Sequence, residues 1–325
     1  MSLIVELCKD KQEWDDFVES SPQKNPFCAA YFLKALGEDY DFLFVKKDGD
    51  IQLGALVLKH ESQPIRSPYP FTMYQGVLLN RSSKDMPYHK KSKWALQIID
   101  FLLAEMEKRY ERISFCLHYG VEDIRSFQWF HYHEPQLGQF NIELRYTGLL
   151  DLLSMQDFES YLMDIRKVRR YEYRQAQKDG FTIEESKNLD ILVEFHDLTF
   201  QRQGIKKDEK KGQLVRAISE AALSTGNGKL LVCRDKKGIV ASVSLFLYDS
   251  QCGYYLFGAN NPEYLDTGSG TYLLLEQIRR CKDMGLKKVD FVGINSPHRG
   301  DFKTSFNAEP VPYFIATWEK NKVFS

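Results

Sequence analysis

Apolar and polar positions follow two periods along this chain, and together they predict an alternation of helices and strands. Asp10 with Glu13 is a capping-box spacing, and the apolar residues that follow it, Trp14, Phe17 and Val18, fall on one helical face. A second short helix is predicted after Pro26, with Phe27, Tyr31 and Leu33 to Leu36 at helical spacing and Gly37 as its stop. Phe42-Leu-Phe-Val and Ile51-Gln-Leu-Gly-Ala-Leu-Val-Leu read as two strands joined by the Asp48-Gly49 turn. After a Pro-rich stretch (Pro64, Pro68, Pro70), Met73 to Leu79 predicts a further strand. Lys91 to Arg109 predicts a long amphipathic helix carrying Trp94, Ile98, Phe101, Leu102 and Met106, which feeds a strand at Ile113-Ser-Phe-Cys-Leu.

The second half repeats this grammar at greater length, as an ancient duplication would. Ser154 and Asp157 make another capping-box spacing and open one predicted helix, over 155–178, with Phe158, Tyr161, Leu162, Ile165 and Val168 on its apolar face and its end near Gly180. Helices over 189–202 and 212–224 follow. Lys229-Leu-Leu-Val-Cys, the turn Asp235-Lys-Lys-Gly238, Ile239 to Tyr248 and Gly253-Tyr-Tyr-Leu-Phe-Gly then predict a three-stranded meander. A helix over 270–284 and a strand from Lys288 to Gly293 complete the pattern. Strands interleaved with helices and hairpins define an α/β (α+β) class with a mixed sheet in each half.

Length and composition fit this picture. At about 150 residues per domain, 325 residues make roughly two domains. The apolar fraction of 43%, with 22 Phe and 18 Tyr, is enough to build a core in each. The balance of 44 Lys+Arg against 45 Asp+Glu excludes a protein that coats nucleic acid by overall charge. No apolar run reaches the length of a membrane span, and the first residues lack a basic and apolar leader pattern, so a soluble cytoplasmic protein is expected. The six cysteines form no C-x-x-C pair and read as buried reduced thiols.

Chemistry concentrates in the second half. Asp266-Thr-Gly268-Ser269-Gly270 runs from a strand into a helix, where backbone N–H groups and the helix dipole favour an anion; the alternative is a turn that only caps the helix. Arg166, Arg170, Arg174 and Lys178 recur every four residues and form a row suited to phosphates, or simply a solvated face. Lys206-Lys-Asp-Glu-Lys-Lys211 is mixed in sign and reads as an exposed loop. His131-Tyr-His133-Glu134 lacks further ligands at metal spacing, so no metal site is expected. No Gly-x-Ser-x-Gly elbow or Cys–His pairing signals a covalent nucleophile. Tyr74, Tyr254, Tyr255, Phe257 and Tyr264 are candidates to line a site, although aromatic residues in strands usually belong to the core.

Five ordered blocks, which with first-half matches from Asn25 onward span about 280 residues, carry a resemblance. They are Tyr146-Thr-Gly-Leu-Leu-Asp-Leu with Ile165-Arg-Lys-Val-Arg-Arg-Tyr-Glu-Tyr-Arg; Tyr254-Tyr-Leu-Phe-Gly-Ala-Asn; Tyr272-Leu-Leu-Leu; Val289-Asp-Phe-Val-Gly; and Asp301-Phe-Lys-Thr-Ser-Phe-Asn. In this the chain resembles the FemABX peptidoglycan-bridge aminoacyltransferases and their wider FemAB-like relatives, of the GNAT acyltransferase superfamily. Asn25-Pro-Phe-Cys-Ala-Ala-Tyr-Phe-Leu and Tyr74-Gln-Gly are similar in the first half. The resemblance implies two tandem GNAT-like domains, over 1–147 and 148–310, with segment 311–325 returning to the first and a functional cleft between the two. It also implies a catalytic role for Lys303, whose ammonium would stabilise the oxyanion at a donor carbonyl as an amine attacks. Gly268, Ser269, Gly270 and Phe257 would bind the donor. Lys34 and Arg202 would lie where relatives hold a diphosphate, with Arg166, Arg170 and Arg174 as further phosphate contacts. No strong general base is evident; Asp301 and Asp290 are candidates for one, and Asp290, inside a strand pattern, reads as structural.

Three features depart from the patterns of related enzymes. Leu265 stands where acetyl-CoA enzymes have Gln or Arg; no heptad run marks the coiled-coil arm of several aminoacyl-tRNA-using members; and Asp301 and Asn307 differ from the usual last block. The expected activity is transfer of an acyl or aminoacyl group onto an amine of a cell-envelope precursor or polysaccharide sugar. The donor would be aminoacyl-tRNA or acyl-CoA, with transient tRNA contact and no tightly bound cofactor. Two alternatives stay open: an acetyl-CoA-dependent N-acetyltransferase acting on an amino sugar or small amine, and a non-catalytic binding protein with the same double fold.

Overall fold

A computed structural model describes residues 2–202, 204 and 206–322. The chain divides into two units, Met1–Arg145 with Pro312–Ser325, and Tyr146–Val311. The first begins with a strand that the sequence pattern did not predict, β1 (Leu3–Cys8), followed by α1 (Lys11–Ser20), α2 (Ala30–Leu36), β2 (Asp39–Lys47), β3 (Asp50–His60), β4 (Gln63–Pro64) and β5 (Val77–Leu79). The long helix α3 (Tyr88–Met106), β6 (Arg112–Cys116) and the short α4 (Arg125–Gln128) follow. Asp10 caps α1 by accepting from the Gln12 N–H, and Trp14, Phe17 and Val18 are buried as their spacing requires. Trp14 stacks on Phe42 of β2 with ring centroids 4.2 Å apart. Gly37 ends α2 in the left-handed region, and Asp48 and Gly49 both take positive φ in the tight β2–β3 turn. The expected strand over 73–79 shrinks to β5, because Tyr74 takes a left-handed φ of 57° and interrupts the extended backbone. His131 and His133 lie in a turn rather than on one strand face, and the His131 ring bonds Glu107 and the Gly138 carbonyl, both at 2.8 Å.

The second unit contains β7 (Asn141–Asp151), α5 (Phe158–Asp164), α6 (Lys167–Lys178), β8 (Thr182–Ser186), α7 (Leu189–Gln201), α8 (Glu209–Ser224), β9 (Gly228–Arg234), β10 (Val240–Tyr248), β11 (Cys252–Asn260), α9 (Ser269–Asp283), β12 (Lys288–Asp290) and α10 (Pro297–Thr304). Its strands run in the order β7-β12-β11-β10-β9-β8, and only the β11–β12 pair is parallel. Leu274, Leu275 and Ile278 of α9 pack with Phe246, Val289, Phe291 and Phe306 in its core. The chain then passes into β13 (Glu309–Glu319), which pairs antiparallel with β6. Residues 323–325 of the expected returning segment lie outside the described residues.

The single helix expected over 155–178 is two. Asp157, not Ser154, caps α5 by accepting the Ser160 N–H at 2.7 Å, and Ile165 and Arg166 are extended. The break is tertiary: Ile165 is buried, and the Arg166 N–H donates to the Ser305 carbonyl at 3.0 Å instead of an intrahelical partner. Val168, expected on the apolar face, is 43% exposed as a result. The predicted loop 206–211 is half helix, since Asp208 caps α8 at Lys211.

Candidate active site

The site is built where two parallel strands part. Only Cys252–Tyr254 of β11 pair with Lys288–Asp290 of β12. Beyond that point β11 continues to Asn260 against β10 alone, so from Tyr255 onward its other edge has no strand partner among the described residues. A bulge lies at the same place. Tyr255 pairs with Phe246 and Phe257 with Leu245, which leaves Leu256 as the extra residue and re-aims the strand.

Lys303 fills the base of this fork from α10. Its Nζ donates to the carbonyls of Phe291, Val292 (2.9 Å) and Gly293 (3.1 Å), and it lies 5.5 Å from the centre of the Tyr255 ring. An ammonium has three N–H bonds, and three carbonyls use them all. In this arrangement the ammonium has no N–H left for a further acceptor. The turn it grips is unusual: Val292 holds a left-handed φ of 51°, a conformation a β-branched residue adopts only when its surroundings enforce it. Asp290, fully buried, does the enforcing from the other side. It accepts the Val292 N–H at 2.8 Å and the Thr147 hydroxyl, and Thr147 Oγ1 in turn accepts the Gly293 N–H at 3.3 Å. Burial and nearby Arg299 pull the Lys303 ammonium down to about 7, with Asp290 opposing them.

Tyr255 is half-buried, and the site of a Cβ on Gly258 would lie 1.9 Å from its hydroxyl oxygen. Only glycine at 258 lets the phenol lie along the strand in this way. Burial pushes Tyr255 up to about 12, with Arg299 opposing, so it stays a hydrogen-bond donor at neutral pH. Arg299 is exposed on α10, and its charge acts on Lys303, Tyr255 and His196 alike. His196 of α7 packs against Phe257 at 5.7 Å, and burial brings it down to about 4, so it is a neutral wall.

The other sequence candidates separate. Gly268 and Gly270 start α9, but a Cβ on Gly268 would sit 2.9 Å from the Glu172 carbonyl oxygen, and one on Gly270 would sit 2.6 Å from Asn260 Oδ1. Gly268 serves close packing of α6 on α9, and Gly270 lets α9 pack on the end of β11. An anion is already there: Glu172 accepts from Thr271 Oγ1 at 2.6 Å and from Arg169 at 2.7 Å. Ser269 is buried beside them, and Phe257 is buried against α7. Arg166 forms a two-pronged pair with Asp301 at 2.8 Å, which holds that carboxyl below its ordinary range. Arg170 donates to the Leu162 and Met163 carbonyls that end α5. These two arginines are thus engaged within the fold, contrary to the expected phosphate row, while Arg174 is exposed. Arg202 is exposed just past α7, and Lys34 is exposed on α2 of the first unit. Sequence reasoning missed Arg169, Thr147 and Arg299. The signal for Arg169 was its helical phase with buried Tyr173 and Ala176, which turns it inward onto Phe302 at 4.7 Å and Ser305.

Residues 163–303 match the family model described as "Acetyltransferase (GNAT) domain". No curated protein matches the chain. Among solved structures, FemX is similar at 16% identity over 97% of each chain, with a TM-score of 0.69. A tandem GNAT protein from the clavulanic acid biosynthesis pathway matches at 10% identity over 100% of both chains, with a TM-score of 0.54. L-PGS from Bacillus licheniformis matches at 14% identity over 96% of this chain and 93% of that one, with a TM-score of 0.53. The mixed α/β tandem GNAT fold expected from the sequence is thus the fold of the whole chain, and its second unit carries an acyltransferase domain. No helix among the described residues is long and apolar enough to cross a membrane, and no group of metal-binding side chains occurs among them.

Proposed function

From a double GNAT fold with an acyltransferase domain in its second half, we propose that this protein transfers an acyl or aminoacyl group to an amine of a cell-envelope precursor or polysaccharide sugar. The observation that carries the proposal is the fork of β11 and β12 with Lys303 and Tyr255 at its base. An acyl carbonyl laid along the unpaired β11 edge would meet backbone amides, the Tyr255 hydroxyl and the field of the buried Lys303 ammonium. Attack by the amine develops negative charge on that oxygen, and the site is positive there before the reaction begins. Orienting the two reactants supplies much of the remaining barrier reduction, so a strong general base is not required. Lys34, Arg202 and Arg299, all exposed, are the proposed contacts for phosphates of donor or acceptor. The similarity to FemX and L-PGS supports an envelope substrate.

Transfer is tested by mass spectrometry with aminoacyl-tRNA and acyl-CoA donors against amine-bearing envelope precursors. Tyr255→Phe removes one hydroxyl and is expected to slow transfer roughly ten- to a hundredfold. Absence of product with every donor, together with unchanged ligand binding in the variant, would support a non-catalytic binding protein instead.

Coenzyme A is the less favoured donor, because its diphosphate would need the α9 N-terminus that Glu172 and the α6 backbone occupy. Isothermal titration with coenzyme A is expected to give no heat at millimolar ligand. Saturable binding there would return the acetyl-CoA-dependent activity to first place.

A further inference from the structure

Helix α6 presents to solvent a face that no other element among the described residues covers. Lys167, Tyr171, Arg174 and Lys178 follow one another at spacings of four, three and four, which aligns them in one stripe opposite buried Tyr173 and Ala176. Tyr171 is 67% exposed, Val168 beside it 43%, and Met163, at the end of α5 where Arg170 anchors, 61%. The three cations of the stripe have no ion-pair partner among the described residues. By contrast Arg166 and Arg169 are paired with Asp301 and Glu172. The neighbouring acids lie off the stripe: Glu159 and Asp164 are on α5, and Asp179 follows the helix and bonds the Gln175 amide at 3.0 Å.

We propose that this face of α6, with the end of α5, docks on an anionic phospholipid bilayer. Cations along α6, with Tyr171 and Val168 exposed on the same helix and Met163 exposed at the end of α5, match a lipid interface, where the ring and apolar groups enter the headgroup layer and the ammonium and guanidinium groups meet phosphates. A nucleic acid would use the same cations and the ring but would leave Met163 and Val168 in water, so the aliphatic residues favour the bilayer. With a net charge of −1 for the whole chain, such binding belongs to the stripe and not to overall charge.

The test is co-sedimentation of the full chain with vesicles of mixed phosphatidylglycerol and phosphatidylcholine, and with vesicles of phosphatidylcholine alone, at low and high salt. Binding is expected only to the anionic vesicles and is expected to weaken with salt. The triple variant K167Q/R174Q/K178Q should bind about a hundredfold more weakly, at roughly fivefold per cation. Tyr171→Ser should weaken binding several-fold at both salt concentrations. Equal binding to neutral vesicles, or unaltered binding by the triple variant, overturns the proposal. So does release from anionic vesicles by a single-stranded RNA oligonucleotide that the wild type binds and the triple variant does not, since the face would then be a nucleic-acid surface.

Discussion

Lys303→Met is expected to lower acyl transfer by at least about a hundredfold, the usual loss when one charge-stabilising group is removed from an acyl-transfer site. The substitution keeps most of the side chain's volume but leaves the carbonyls of Phe291, Val292 and Gly293 without the ammonium that now binds them. It also frees the left-handed Val292 turn, so a stability loss of about 1–3 kcal/mol should accompany the loss of activity. Dependence on pH distinguishes the two roles. The folded-state value of about 7 lies below the ordinary 10.5, so between these values the folded protein binds fewer protons than the unfolded chain. The stability of wild type relative to the variant should therefore rise with pH above 7, by up to about 1.4 kcal/mol per unit. Activity that depends on the ammonium should fall over the same range. Urea unfolding and transfer rates at several pH values measure both, and a variant that retains wild-type transfer would remove Lys303 from the mechanism.

Gly268→Ala is expected to destabilise the second unit by about 2–4 kcal/mol. Its φ of 74° costs an L-residue roughly 1–2 kcal/mol, and the new Cβ would lie 2.9 Å from both the Cβ and the carbonyl oxygen of Glu172. Neither backbone can give way without separating α6 from α9. Gly270→Ala serves as the control, because its nearest obstacles are the side-chain atoms of Asn260, which can rotate. Thermal or urea unfolding of the two variants should show the larger loss at 268. If the two losses were equal, or if Gly268→Ala cost less than about 0.5 kcal/mol, the packing explanation for this glycine would be wrong.

Much of the local architecture could be read from the sequence, because it rests on short-range chemistry. Gly37 and the Asp48-Gly49 turn announce left-handed backbone by their residue types, and both take it. The stripes of α1, α3 and α9 follow helical spacing onto buried positions. What the sequence did not reveal depends on distant partners. The break at Ile165 and Arg166 has no proline or glycine to mark it; it exists because the Ser305 carbonyl, far along the chain, accepts the Arg166 N–H. Two members of the evenly spaced arginine row face Asp301 and the end of α5, a difference that periodicity alone cannot express.

The sequence by itself determined the α/β class and the doubling of the fold, since helical and strand periods and an ordered set of motifs are properties of the chain. Only the tertiary structure decided what Lys303 touches. Its partners are backbone carbonyls from a turn ten or more residues away, and carbonyls carry no residue identity. The glycines before α9 were equally visible in the sequence, yet their meaning depended on whether an anion or another helix lies against them, and Glu172 of α6 occupies that place.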